Sequence, residues 1–165
     1  MIPGHESHPS WTCGFYVESL ERSLAFYRNL LGMSEIRATG STFCAAALTS
    51  GCAHHELLLI EVGSLPGPTP GPRRGFYHAG FCIGQDIQAL RDARDELIDA
   101  GVTIKGACDH GITQSLYLLD PAGNEIEIYV DDPNVDWRTD PTTIVAPIRP
   151  LTCKPHNPEN HAAAG

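Results

Sequence analysis

The chain has 165 residues, room for one domain with a real core. Its 20 acidic against 11 basic residues give a net charge of −9, which argues against a nucleic-acid surface, since that needs clustered Lys and Arg. The longest apolar stretch, Glu56 to Val62, is too short to span a bilayer, and the amino terminus lacks a basic-then-apolar secretion pattern.

In chain order, Gly14 to Val17 reads as a strand. Ser19 can cap a helix whose apolar face is Leu20, Leu24, Tyr27 and Leu31, and Gly32 stands where such a helix commonly ends. Two or three strands follow, the last being Glu56 to Val62. Pro66 to Pro72 alternates Pro with Gly and Thr and reads as a stiff linker. A second strand–helix pair comes next: Phe81 to Ile83, then a helix from about Asp86 with Ile87, Leu90, Ala93, Leu97 and Ile98 inward, ended by Gly101. Strands are expected near Val102 to Ile104, Ser115 to Leu119 and Glu125 to Val130. The Asp120-Pro121-Ala122-Gly123-Asn124 turn should join the last two as a hairpin. After Asp132 there are six prolines and no period, so an extended tail is expected. The six cysteines (Cys13, Cys44, Cys52, Cys82, Cys108, Cys153) have no C-x-x-C spacing and read as buried, reduced thiols of a cytosolic protein.

The two halves repeat each other. Thr12-Cys13-Gly14-Phe15-Tyr16-Val17 matches His78-Ala79-Gly80-Phe81-Cys82-Ile83, and Leu59-Ile60-Glu61-Val62 matches Glu125-Ile126-Glu127-Ile128, both at an offset of 66. The expected organisation is one domain over 1–132 made of two βαβββ modules (about 9–63 and 75–132, with a linker over 64–74), followed by a Pro-rich tail over 133–165. The paired positions Thr12/His78 and Glu61/Glu127 carry imidazole or carboxylate at three of four places, the ligand types that suit Fe, Mn, Ni or Zn.

These modules, with Leu20 to Tyr27 and Leu30-Leu31-Gly32 in the first helix, resemble the vicinal oxygen chelate superfamily. That superfamily includes glyoxalase I, bleomycin-resistance proteins and extradiol ring-cleaving dioxygenases. The run from His110-Gly111 through Tyr117, the turn and Glu127 is similar to the single-domain type I extradiol signature. His54-His55-Glu56-Leu57 and the strand with His78 also resemble that pattern. The resemblance implies an α+β fold, two tandem βαβββ modules forming a curled mixed sheet around a cleft. It implies cleavage of a small catecholic substrate with O₂ at a non-haem metal, Fe(II) or Mn(II), in a homodimer. His78 and Glu127 would be metal ligands, His55 the acid–base group, and His110 and Tyr117 hydrogen-bonding groups for the substrate oxygen. Strand alternation and hairpin pairing can bring Tyr117 near Glu127.

Plainer readings stand beside these. His78 can be a packed strand residue, Glu127 a solvent-facing one, His55 a loop histidine, His110 a turn residue and Tyr117 a core aromatic. Thr12 departs from the family pattern, which has its first His ligand there; a hydroxyl is a poor Fe(II) ligand. His5 or His8 could substitute, Glu61 could complete a His-Glu-Glu set, or the chain could be a metal-poor protein that binds a small aromatic molecule. A glyoxalase-like lyase or isomerase using Glu61 as a fourth ligand is the third class.

Overall fold

The computed structural model describes residues 11–36 and 44–151. Two compact units result: Met1–Gly71 together with Pro121–Asn124, and Pro72–Asp120 together with Glu125–Gly165. Each contains one βαβββ module, so the α+β class and the tandem order expected from the sequence are both present.

In the first unit, β1 (Cys13–Val17), β2 (Ser34–Ile36), β3 (Ala45–Thr49) and β4 (Leu57–Glu61) form one mixed sheet in the order β1-β4-β3-β2. β1 and β4 run parallel, which requires a crossover, and the helix between β1 and β2 provides it. That helix starts as α1 (Leu20–Leu24), capped by the Ser19 side chain, and continues as a π-helical segment over Ala25–Leu30. The wider π turn explains why the simple helical period holds only in part. Leu24 and Tyr27 are buried as expected, whereas Leu20 and Leu31 are half-buried, and Ser23 and Phe26 join the core. The Phe26 and Tyr27 rings meet edge to face at 5.0 Å. Alternation along the strands buries Phe15, Val17, Ala46, Leu48, Leu57 and Leu59 on the same side.

In the second unit, β5 (Ala79–Cys82), β6 (Ile104–Asp109), β7 (Thr113–Leu119) and β8 (Glu125–Asp131) repeat that order as β5-β8-β7-β6. β9 (Arg149–Pro150) adds to the edge at β6. The crossover is α2 (Ile87–Asp99), capped by Asp86 and packed on β7 and β8. Leu116, Leu118, Ile126 and Ile128 face it with no exposure, each contributing roughly 1.5–3 kcal/mol of burial. The expected inward set on α2 needs one change. Ile98 is 53% exposed, and Arg94 is buried instead, because Ile87, Leu90, Arg94 and Leu97 form the continuous stripe at 3.6 residues per turn. The β7–β8 hairpin closes at Leu119 and Glu125, around the expected turn. After Asp132 the chain is not simply extended: a 3₁₀ turn at Pro141–Val145 precedes β9.

Strand register corrects the repeat. The first strands match at an offset of 66, but Gly14 pairs with Leu58 while Gly80 pairs with Glu127, three residues out of step. The first module's counterpart of Glu127 is therefore Leu58, not Glu61. An odd shift also reverses the face: Glu61 lies on the α1 side of its sheet, and its Oε2 accepts the Leu20 N–H at 2.6 Å, a second cap on that helix. The cysteines need correction too. Cys13, Cys44, Cys52, Cys82 and Cys108 are free thiols, but none is fully buried; Cys153 lies outside the described residues. Partial burial pushes the Cys13 thiol up, against a backbone hydrogen bond from Gly14.

Candidate active site

The face of the second sheet opposite α2 carries the polar residues. Register places Gly80, Glu127, Tyr117 and Gly106 in one row across β5, β8, β7 and β6. Tyr117 and Glu127 are thus direct cross-strand partners, and the Tyr117 hydroxyl donates to Glu127 Oε1 at 2.7 Å. His78, immediately before β5, brings Nε2 to 2.9 Å from Glu127 Oε2. His110, immediately after β6, places Nε2 3.0 Å from the Tyr117 hydroxyl. A tight turn holds it there: His110 N–H donates to Thr113 O and Gly111 N–H to Asp109 Oδ1. Gly111 has a φ of +82°, which a side chain would oppose.

Donor counting fixes the protons. The phenol has one hydrogen and gives it to Glu127, so His110 Nε2–H must donate to the phenol oxygen. An ionised Glu127 then receives Tyr117 on one oxygen and His78 Nε2–H on the other. Burial, followed by the hydrogen bond and charge of Glu127, holds the Tyr117 hydroxyl far above the ordinary phenol range, so it remains a donor. Tyr77 closes the edge of the cluster, its ring 4.3 Å from that of His78 at 66°. Burial and then the Glu125 carboxylate push its hydroxyl up as well.

His78 and Glu127 are the right donors in kind for Fe(II) or Mn(II). Gly80 lies beside the carboxylate, where a Cβ would stand 3.3 Å from Tyr129 Cε1 and 3.5 Å from Glu127 Oε2. The set is nevertheless one protein donor short of a facial triad: among the described residues no three His, Cys, Asp or Glu side chains are grouped so as to hold a metal ion. His78 Nδ1 is buried without a partner, whereas a ligating His ordinarily donates its second N–H to an acceptor.

In the first unit, Thr12 is exposed just before β1, and Glu61 serves the helix cap described above. His5 and His8 lie outside the described residues. His55 sits in the β3–β4 loop beside His54, with their Nδ1 atoms 2.6 Å apart and ring centroids 4.5 Å apart. Glu56 organises that loop. Its carboxylate accepts the N–H groups of Ser50, Cys52 and Ala53 and the Ser50 hydroxyl, at 2.8–3.1 Å. Desolvation works to raise the Glu56 carboxyl, but hydrogen bonds from Ser50, Thr49 and Ala53 outweigh it and lower it.

The structure therefore brings four of the five expected site residues (His78, His110, Tyr117 and Glu127) into one cluster, with His55 in the other unit. Sequence reasoning passed over Tyr77, Gly80 and Glu56. An aromatic next to His78 and a Gly shared by both repeats were visible signals for the first two; Glu56 gave none apart from its place in the His-His-Glu run.

A tandem βαβββ fold with a His–Glu–Tyr–His cluster on the last sheet defines a vicinal oxygen chelate protein. The chain belongs to the Glyoxalase/Bleomycin resistance protein/Dioxygenase superfamily, whose family model matches residues 11–128. It is 37% identical over 127 residues to a catechol-2,3-dioxygenase of Bacillus subtilis (strain 168), a match covering 75% of this chain and 42% of that protein. It is 34% identical over 87 residues to biphenyl-2,3-diol 1,2-dioxygenase 3 of Rhodococcus globerulus, covering 52% and 45% respectively. The chain thus spans less than half the length of these curated relatives. The structure of a glyoxalase/dioxygenase from Nostoc punctiforme shares the fold at a TM-score of 0.61 and 23% identity, over 79% of this chain and 95% of that one. Among the described residues, no helix is long and apolar enough to cross a membrane.

Proposed function

We propose that this protein is an extradiol-type dioxygenase that cleaves a small catecholic substrate with O₂, as a cytosolic homodimer. The observation that carries the reading is the hydrogen-bonded series His110–Tyr117–Glu127–His78 on one sheet face, in a chain whose relatives include diol dioxygenases. His78 and Glu127 would hold Fe(II) or Mn(II). A bound metal supplies a Lewis-acidic centre with open positions for both diol oxygens and O₂.

The chain's own residues do the rest. Tyr117 fixes one Glu127 oxygen so that the other stays directed at His78. His110 and Tyr117 are polar groups that can orient a substrate oxygen and stabilise charge developing on it. His55 takes a catechol proton and later returns one to an oxygen. The test is anaerobic loading with Fe(II), metal analysis, and O₂ uptake with catechol. Stoichiometric O₂ consumption and a yellow ring-fission product are expected, and His55→Gln should lower kcat by roughly 10²–10⁴-fold. No product with the metal-loaded protein would overturn the reading.

A second reading rests on Thr12 and on the two-donor set: a protein that binds small phenols without metal. It predicts saturable catechol binding, unaffected by chelator and without O₂ uptake.

A further inference from the structure

The β3–β4 loop holds a feature that the proposed reaction does not use. His54 and His55 point their Nδ1 atoms at each other across 2.6 Å, the distance of a strong hydrogen bond, and either ring can be the donor. The loop that presents them is fixed at several points. Glu56 receives the donors already described, Thr49 Oγ1 donates to Ala53 O at 2.7 Å, and Gly51 N–H donates to Thr49 Oγ1 at 2.9 Å. His54 is exposed and His55 half-buried. Cys52 and Glu56 are the ionisable groups of the same loop, and Glu56 is committed to loop N–H groups rather than to an imidazole.

One proton fits between two Nδ1 atoms at that distance, which sets the tautomers of both rings together. If His55 donates, its Nε2 carries a lone pair and His54 carries Nε2–H. If His54 donates, the reverse holds. We propose that His54 is the proton-relay partner of His55, linking its Nε2 to solvent through the shared Nδ1–H···Nδ1 bridge. This rests on the acid–base role assigned to His55 above.

The balance is one proton in and one out. His55 Nε2 accepts a proton from the substrate hydroxyl. The bridging proton passes from His55 Nδ1 to His54 Nδ1, and His54 releases its Nε2 proton to water. The pair is neutral again in the mirror tautomer, and His55 now presents Nε2–H, the acid form needed later in turnover. Running the sequence backwards returns the proton.

The test uses the full-length protein labelled with ¹⁵N-histidine. In wild type the two Nδ1 nuclei should show a scalar coupling across the N–H···N bridge, with one bridging proton correlated to both rings. In His54→Gln that coupling and the bridging-proton signal should vanish. No coupling and no bridging proton between the two rings in wild type would overturn the relay whether or not the protein turns over catechol. In Fe(II)-loaded enzyme, His54→Gln should lower kcat with KM little changed, by less than the roughly 10²–10⁴-fold expected for a direct acid–base group. Added imidazole should restore the rate. An unaltered kcat and pH profile in His54→Gln would overturn the relay even if the bridging proton is observed. If wild type shows no ring cleavage, the dioxygenase reading fails by itself, and the coupling across the bridge decides the proton-sharing pair separately.

Discussion

Replacing Tyr117 by Phe removes one oxygen and leaves the ring, so no cavity forms and the effect isolates the hydroxyl. That hydroxyl makes two bonds: to Glu127 Oε1 at 2.7 Å and from His110 Nε2 at 3.0 Å. A hydrogen bond to an ionised acceptor contributes about 1.5–3 kcal/mol and a neutral one about 0.5–1.5. The Glu127 and His110 side chains are 14% and 22% exposed, so water replaces part of what is lost. The net cost should be about 2 kcal/mol, taken from the low end of those ranges. For a chain of this size each kcal/mol lowers Tm by roughly 2–4 °C, so calorimetry should show a fall of about 4–8 °C. A double-mutant cycle with Glu127→Gln should return a coupling of about 1 kcal/mol or more, since the two side chains share a bond. An unchanged Tm together with zero coupling would show that the hydroxyl is not part of this network.

Metal content tests the donor pair: His78→Ala and Glu127→Ala should each abolish iron retention after desalting, and Thr12→His should raise iron affinity by restoring the family's third donor. Unchanged content in the two Ala variants would refute the assignment. Glu61→Ala should leave metal content alone but cost about 1 kcal/mol of stability, the usual size of a lost helix cap; loss of metal would mean that Glu61 is a ligand after all. Stability should also fall in alkali. Burial and Glu127 raise the Tyr117 phenol above its unfolded value, so the native state binds that proton more tightly than the unfolded chain does. The resulting stability is complete below about pH 10 and is lost as pH rises beyond it. Tyr77 and Tyr129 act in the same direction. Melts between pH 8 and 11.5 should therefore show a shallower decline in Tyr117→Phe.

Much of the fold was legible because its signals are local. Ser19 and Asp86 are caps, Gly32 and Gly101 follow helix ends, and the Pro121-to-Asn124 turn closes a hairpin whose partners could be counted outwards to Tyr117 and Glu127. The repeat was legible at its first strands and misleading at its last. Glu61 and Glu127 align by sequence, but only pairing across the sheet reveals which residue faces Gly14 or Gly80, and no local signal carries that. The inward face of α1 was hidden for a related reason. The helix turns to π geometry at Ala25, so the 3.6-residue period drew in Leu20 and Leu31 and left out Phe26. The Nδ1 contact of His54 and His55 depends on how Glu56 gathers its loop, which two adjacent letters could not convey.

Taken together, register and chemistry show how far the two modules have diverged. Where the second module has His78 before its first strand and Glu127 opposite the first-strand glycine, the first has Thr12 and Leu58. Both metal-type positions of the first module are thus apolar or weakly donating, while its carboxylate, Glu61, has moved to the other face to cap a helix. A Glu61 ligand would have to leave the Leu20 N–H, so the His-Glu-Glu set expected as one remedy for Thr12 carries a structural cost that Thr12→His does not. The histidines of the first module are placed differently. The first module keeps its imidazoles in a loop stapled by Glu56 rather than on a sheet face, where their orientation depends on that loop and not on strand register. Substitutions at Glu56 and at Leu58 should therefore separate cleanly: the first would disorder the histidine pair and spare the sheet, whereas the second would disturb the sheet and spare the pair.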